Sequence, residues 1–494
     1  MSWSETVLGH SAPGTGRDKR HRQVMARSTE APPGPSGQVR ETPLATLGIR
    51  PLRLGRSLAR PLTRPTREGY ALAAIVLIGF GAATSFGYSH SVSLLAITGG
   101  GCFAVLSGTG GSGRAGRLSW SLAAFCGAMS TGFLLAQGPV DWLLPAAGGL
   151  GAIVAIAATP TAARLGGCVL AALPGAQVLA REVRWGQVNI DVFAFTQRAS
   201  WQLLHGQDPY QGAYQTTSPH LALAHYFYLP AVFLLSVPGR LLGDIRVSNL
   251  LAVVALIVAL TVLARRHGGR EQGWRCLALG LTLPFLAPMI YYAWAEVYLM
   301  AAIVLWLALR ERHKGISVVI LGVGIATVPT ALPLLILPFL WWPRPRRELL
   351  SAAGVALLVC FPFVVWAGPE EFVKAALLVS VSLPPRLDGL DLDSVARFLT
   401  GSWLPFWVWP SASLGALVLV IRSRERSWAR AFYLGSALLL VAFVFAKWAF
   451  FNYYFLVAVA LVLAMALAGG VTEETESHGE GRGGRVDPAV VQPA

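Results

Sequence analysis

Asp191-Val-Phe-Ala-Phe-Thr-Gln-Arg-Ala-Ser-Trp-Gln-Leu-Leu-His-Gly-Gln-Asp-Pro-Tyr210 is a polar, aromatic island between long apolar segments. Val192, Phe195, Ala199 and Leu203 recur at helical spacing, which predicts a short amphipathic helix over residues 190–204. Gly206 suits the left-handed conformation at a helix end, and Asp208-Pro209 starts a turn in which proline fixes φ. Such an element lies beside a membrane, and its flanks decide the class of the whole chain.

On both sides the sequence consists of apolar runs of about 15 to 22 residues joined by short polar connectors. With 494 residues, 54% hydrophobic and 13% charged, this composition predicts an all-α polytopic integral membrane protein. In a soluble chain a net charge of +15 would point to nucleic acid. Here the arginines cluster between apolar runs, so they read as cytoplasmic loop markers and the partner is the lipid bilayer. The five cysteines (Cys102, Cys126, Cys168, Cys276, Cys360) are odd in number, lie in or beside apolar segments and form no Cys-x-x-Cys pair, which argues against disulfides and zinc. Residues 1–68 are rich in Pro, Gly, Ser and Arg and lack an early apolar region, so a disordered basic cytoplasmic arm is expected there, not a cleaved signal peptide.

Charge placement sets the topology. Apolar segments cover residues 69–89, 91–107, 118–137, 142–159 and 162–180 ahead of the island. With the arm inside, the connectors holding Arg114, Arg117 and Arg164 fall inside, and those around His90 and Asp141, without Lys or Arg, fall outside. Asp191 then emerges on the outer face. If residues 225–242 spanned, Arg265, Arg266, Arg270 and Arg275 would lie on the wrong side, and Pro230 and Pro238 favour a broken, non-spanning element instead. Residues 249–263 then carry the chain inward, and the basic connectors 310–314, 344–347 and 422–430 all fall inside. The segment between the first two must cross twice, bent near Pro329. The outer face collects residues 289–296, a long loop over 368–399 and the turn 447–454. About 14 crossings result. The chain reads as arm 1–68, N-terminal membrane helices 69–160, a core 161–470 with its outer loop 182–247, and a disordered tail 471–494, with both termini cytoplasmic.

A carboxylate at an apolar boundary is costly to desolvate, so Asp191 needs a reason to be there. It either caps the helix that begins after Asn189 or acts as a general base whose pKa burial brings toward the operating pH. Asp208, before proline, reads first as a turn former. Lys447, beside Trp448, is the leading outer-face candidate for a phosphate partner, against a snorkelling role. Arg198, seven residues after Asp191, binds phosphate or pairs with Asp191, and Arg386 is a loop alternative. His205, His220 and His225 match no zinc spacing and read as polar surface groups. The run Asp388-Gly-Leu-Asp-Leu-Asp393 lacks the full calcium-loop spacing and reads as a solvated loop. Tyr210, Tyr214, Tyr226 and Tyr228 either stack on a sugar or anchor the interface.

The run from Asp191 through Leu203-Leu-His-Gly-Gln-Asp-Pro-Tyr210, followed by Tyr226-Phe-Tyr-Leu-Pro230, resembles the signature of glycosyltransferase family 87. Asn452-Tyr453-Tyr454 and residues 322–347 are also similar, so the resemblance covers roughly residues 162–470. It implies a GT-C-like helical bundle with outer-face juxtamembrane helices that takes a hexose, in this family mannose, from a polyprenyl phosphate. Two departures stand out. Val328-Pro329 occupies the place of a frequent Lys-Pro, and five helices precede the acidic residue where such enzymes commonly have one. By this resemblance Asp191 is the general base of an inverting transfer to an extracytoplasmic glycolipid or polysaccharide acceptor. Lys447, Arg198 and Arg386 are its donor-phosphate candidates, and His205, Asp208, Tyr210, Tyr228 and Tyr453 its sugar or acceptor contacts. Such a lipid-monophosphate donor needs no metal or other cofactor. Two rivals are a transporter or flippase of lipid-linked precursors, for which Glu296 is the candidate mid-membrane carboxylate, and a catalytically silent lipid-binding homologue.

Overall fold

A computed structural model describes residues 66–84, 90–109, 115–133, 143–184, 190–211, 226–328, 345–378, 389–422, 427–446 and 449–468. The chain divides into two compact units, Met1–Pro61 and Leu62–Ala494, and all described residues belong to the second. The predicted arm as far as residue 65, the tail, Lys447, Arg386, His220, His225, Tyr214 and the bend at Pro329 lie outside the described residues, while Arg67 and Glu68, assigned to the arm, open the first helix.

Among the described residues the fold is all-helical, without strands. The leading apolar runs form α1 (Arg67–Thr84), α2 (His90–Thr109), α3 (Arg117–Phe133), α4 (Leu143–Ala157) and α5 (Thr161–Arg184). The island helix α6 (Asp191–Leu204) buries Val192, Phe195 and Ala199. Gly206 then takes φ 69°, and the Asp208 carboxylate accepts the Tyr210 amide at 2.9 Å, which closes the turn. Helix α7 (Ala231–Leu241) has only 11 residues, about 16 Å, too short for a hydrocarbon core of about 30 Å. Helix α8 (Arg246–Leu281) is two helices joined at Gly269, whose φ of 75° and ψ of −173° break the ladder.

The backbone is irregular again between α8 and α10 (Glu296–Leu309), where the short α9 (Leu286–Tyr291) is flanked by left-handed Phe285 and Ala293. Residues other than glycine rarely hold that conformation unless their surroundings impose it. At the Ala293 side of the segment the backbone is held by Asn249. Its amide donates to the Trp294 carbonyl at 2.9 Å, and its Oδ1 accepts from the Tyr298 hydroxyl at 2.8 Å.

After α11 (Lys314–Ile325) come α12 (Pro345–Ala367), the short α13 (Pro369–Val373) with a π turn, α14 (Leu392–Thr400), α15 (Val408–Ile421), α16 (Trp428–Val444) and α17 (Phe451–Leu467). The stretch 368–399, read as a long loop, therefore contains helices. Helix α17 is apolar on all sides and almost wholly buried, as such a sequence requires. It packs against α1, α8, α10 and α16, while α3, α4 and α5 lie against α8 and α2 against α16.

Polar contacts gather at two ends. At one, Arg164 and Arg117 meet Glu271 at 2.7 and 3.7 Å, Arg270 reaches Thr161, Arg266 donates to the Ala308 carbonyl, and Arg310 pairs with Glu348 at 3.1 Å. At the other lie the starts of α6, α8, α10 and α17. The arm of α8 from Arg246 to Gly269 separates the two by about 35 Å. Between them the outward faces are apolar: Leu357, Leu358, Phe361 and Val365 on α12 are 64–72% exposed, and Leu250, Val254 and Val258 are exposed on α8. Two helices, Arg246–Leu281 and Pro345–Ala367, are long and apolar enough to cross a membrane, and seven shorter apolar helices accompany them among the described residues.

Replacing Asn249 by Ala leaves the buried Trp294 carbonyl without its side-chain partner and the Tyr298 hydroxyl with Ser236 alone. The unfolding free energy in detergent should fall by about 1–3 kcal/mol. An unchanged denaturant midpoint would show that this network does not hold the irregular segment.

Candidate functional site

Four segments converge at the end opposite the arginine cluster. Asp191 is the first residue of α6, Tyr228 lies in the turn before α7, Glu296 opens α10, and Asn452 and Tyr453 lie in the first turn of α17. Asn452 Nδ2 donates to Glu296 Oε1 at 2.7 Å. Both carboxylates, Glu296 and Asp191, act electrostatically on the hydroxyls of Tyr228 and Tyr453, so the four groups face a common region. Burial raises the Tyr228 hydroxyl well above its ordinary pKa, and Glu296 and then Asp191 add to the shift, keeping this phenol a neutral hydrogen-bond donor.

Asp191 does not cap its helix. The capping position is Ile190, in extended conformation and with no side-chain cap, and Asp191 Oδ1 accepts the Val192 amide at 2.8 Å. At this half-buried position in the first turn the carboxylate lies at the positive end of the helix dipole.

Tyr210 is buried, with its hydroxyl and ring already engaged within the protein. Its hydroxyl donates to the Tyr228 carbonyl at 2.7 Å, and its ring packs on Tyr226, Phe233 and Phe372 at centroid distances of 5.7, 6.0 and 4.9 Å. It is thus a pillar that sets the Tyr228 backbone. Asp208 is likewise buried in the turn, where desolvation raises its pKa against the Tyr210 amide that lowers it. His205 is exposed at the far end of α6, about 20 Å from Asp191 along the helix, with its ring stacked on Trp201 and Nδ1 against the Trp201 carbonyl. Arg198 is exposed two turns after Asp191. Of the sequence candidates, the structure therefore brings Asp191, Tyr228 and Tyr453 together and sets His205 apart.

Two charged groups at this end were not among the sequence candidates for the reaction. In sequence Glu296 reads as a transporter's mid-membrane carboxylate, because its partner Asn452 lies 156 residues away in the chain. Arg246 escaped because its apolar segment was read to begin at Asn249. Its guanidinium pairs with Asp244 at 2.5 Å and sits over the rings of Phe193 and Tyr291 at 5.2 and 5.7 Å. The signal available in sequence was the Asp244-Ile-Arg246 spacing at a helix start.

The acidic run after residue 388 is not a solvated loop. Asp391 caps α14, accepting the Ser394 amide at 2.8 Å and the Ser394 hydroxyl at 2.7 Å on one oxygen and the Ala449 amide at 2.9 Å on the other. Asp393 is buried and accepts the Leu404 amide at 2.6 Å. The Leu390 amide donates to the Ala449 carbonyl, and the Tyr454 hydroxyl donates to the Leu390 carbonyl. Asp391 ties the start of α14 to the residue pair before α17, and Asp393 ties α14 to the turn that follows it. Burial pushes Asp391 up to about 6, against the three hydrogen bonds that favour its ionised form.

No family model matches the chain, and no curated protein or solved structure matches it either.

The raised Asp391 pKa has a definite sign. Between about pH 4 and about pH 6 the folded protein holds a proton there that the unfolded chain releases, so this stabilisation is present below that window and lost as pH rises through about 6. The unfolding midpoint of the wild type relative to the non-ionising Asp391→Asn variant should fall as pH goes from 4 to 7. A constant difference would refute the shift.

Proposed function

We propose that this chain is a polytopic membrane glycosyltransferase that moves a hexose from a polyprenyl phosphate to an extracytoplasmic acceptor. The membrane reading rests on the apolar outward faces of α8 and α12 between two polar ends, because a helix exposed to water does not present Leu357, Leu358, Phe361 and Val365 together. The connectors assigned to the cytoplasm by their arginines contact one another at one end, and Asp191 is at the other. About 14 crossings remains the proposed count. Single cysteines in a cysteine-free background test the sidedness. Arg198→Cys should react with an impermeant maleimide in intact cells, and Lys314→Cys only after permeabilisation. The opposite pattern would invert the topology and remove the outer active site.

The observation that carries the chemistry is the convergence of Asp191 with Glu296, Tyr228 and Tyr453 at one bundle end. In the proposed reaction an acceptor hydroxyl attacks the anomeric carbon, its proton passes to the Asp191 carboxylate, and the bond from that carbon to the phosphate oxygen breaks. The electron pair leaves with the polyprenyl phosphate. One carboxylate suffices for such an inverting displacement. Arg246, held by Asp244 over Phe193, is the described cation best placed to meet the leaving phosphate, with Lys447 and Arg386 as the further candidates from the sequence. Mannose and the α product follow from the family resemblance. A membrane enzyme is the economical solution, since each methylene of the donor kept in hydrocarbon is worth about 0.8 kcal/mol.

Radiolabelled transfer from polyprenyl-phosphate mannose, with purified protein in membranes containing host glycolipid, tests this reading. Asp191→Asn should reduce the rate about 10²–10⁴-fold, and Arg246→Gln should raise KM for the donor more than it lowers kcat. Equal rates for wild type and Asp191→Asn would remove Asp191 from the chemistry. Lipid-linked sugar that crosses the bilayer without any transfer would favour the transporter, for which the buried Glu296 is the supporting feature.

A further inference from the structure

Three residues at the starts of α10 and α17 each carry one buried polar atom that has no hydrogen-bond partner among the described residues. Glu296 is 2% exposed, and although its Oε1 accepts from Asn452, its Oε2 has no hydrogen-bond partner there. Asn452 is fully buried and its Oδ1 is likewise unpartnered. Trp294, two residues before Glu296, has an unpartnered indole Nε1 and packs its ring edge-to-face on Phe451 at 5.7 Å. Buried polar groups are nearly always hydrogen-bonded, and each left unmade is costly. Two acceptors and one donor lie on residues linked by the Asn452–Glu296 hydrogen bond and by their places in sequence, against a cluster of aromatic rings that includes Tyr292 on Phe451 at 6.1 Å.

The chemistry of the set selects the ligand. A metal ion would have little use for the indole N–H or the tyrosine hydroxyls, and no group of three or more His, Cys, Asp or Glu gathers anywhere among the described residues. A phosphate would be repelled by Glu296. A sugar ring fits: its hydroxyls donate to a carboxylate and an amide oxygen, a ring oxygen or hydroxyl accepts from an indole, and its apolar face lies on aromatic rings. We propose that Glu296, Asn452 and Trp294 form the subsite that recognises the hydroxyls of the donor hexose and holds its anomeric carbon near Asp191. This rests on the glycosyltransferase reading and adds to it the residues that distinguish the sugar-bearing lipid from the bare lipid phosphate. Asn452, by holding Oε1, orients Glu296 so that Oε2 remains for the ligand.

Equilibrium binding to the full chain in lipid nanodiscs separates this role from a structural one. The probes are radiolabelled polyprenyl-phosphate mannose and polyprenyl phosphate. Wild type should bind the sugar-bearing lipid more tightly, and Glu296→Gln and Asn452→Ala should each weaken that binding about tenfold while leaving polyprenyl phosphate unchanged. If Glu296→Gln does not fold, Trp294→Phe carries the same comparison through loss of the indole donor. Unchanged discrimination in folded variants would overturn the subsite. A wild type that transfers sugar in the assay above yet binds both lipids equally would overturn the subsite and leave the enzyme reading intact. A wild type that neither transfers nor binds the sugar-bearing lipid would remove both.

Discussion

The structure depends on a requirement that apolar surroundings impose: wherever the backbone leaves a helix, its amides and carbonyls need partners from within the protein. Asn249 meets that requirement at the critical place. It sits in the first turn of α8, fully buried, and holds the Trp294 carbonyl while receiving the Tyr298 hydroxyl, which Ser236 of α7 also contacts at 3.1 Å. Three helices are thereby joined around a segment with two left-handed residues. The same arrangement fixes where α10 begins, and so where Glu296 and Trp294 stand. Stability and site geometry share one set of hydrogen bonds.

A second theme is the use of charge. At the arginine-rich end, ion pairs bind helices from distant parts of the chain: Glu271 on α8 receives Arg164 of α5 and Arg117 of α3, and Glu348 of α12 receives Arg310 together with the Trp306 indole. These pairs neutralise one another and leave little for chemistry. At the opposite end the carboxylates are less evenly matched. Asp391 is consumed by backbone amides and Asp244 by Arg246, while Asp208, in its turn, and Glu296 each keep one oxygen unpartnered among the described residues. Under the proposed function, that imbalance is what a sugar-binding site requires: fixed acceptors whose partners arrive with the substrate.

Much of the architecture was legible in the sequence because hydrophobic period and length are local properties. The five leading runs, the island helix with its Gly206 stop and the short, proline-containing α7 all follow from composition and spacing within windows of about 20 residues. The arginines of the connectors around residues 164 and 266 make their contacts at one end of the bundle. The helices inside residues 368–399 were missed. Their cap, Asp391, is recognisable only once Ala449 lies against it, since an isolated Asp-rich run reads as solvated.

By itself, then, the sequence determined an all-helical chain of apolar segments, the place of its polar island and Asp191 as the carboxylate to watch. Only the tertiary structure decided which side chains share that carboxylate's surroundings. It turned Tyr210 inward as a pillar, left His205 and Arg198 exposed on α6, and brought Glu296 and Asn452 together across 156 residues of chain. The reason is physical. Helical periodicity tells each residue which face it occupies, but the neighbour across that face is chosen by packing among helices far apart in sequence, and no local pattern encodes that choice.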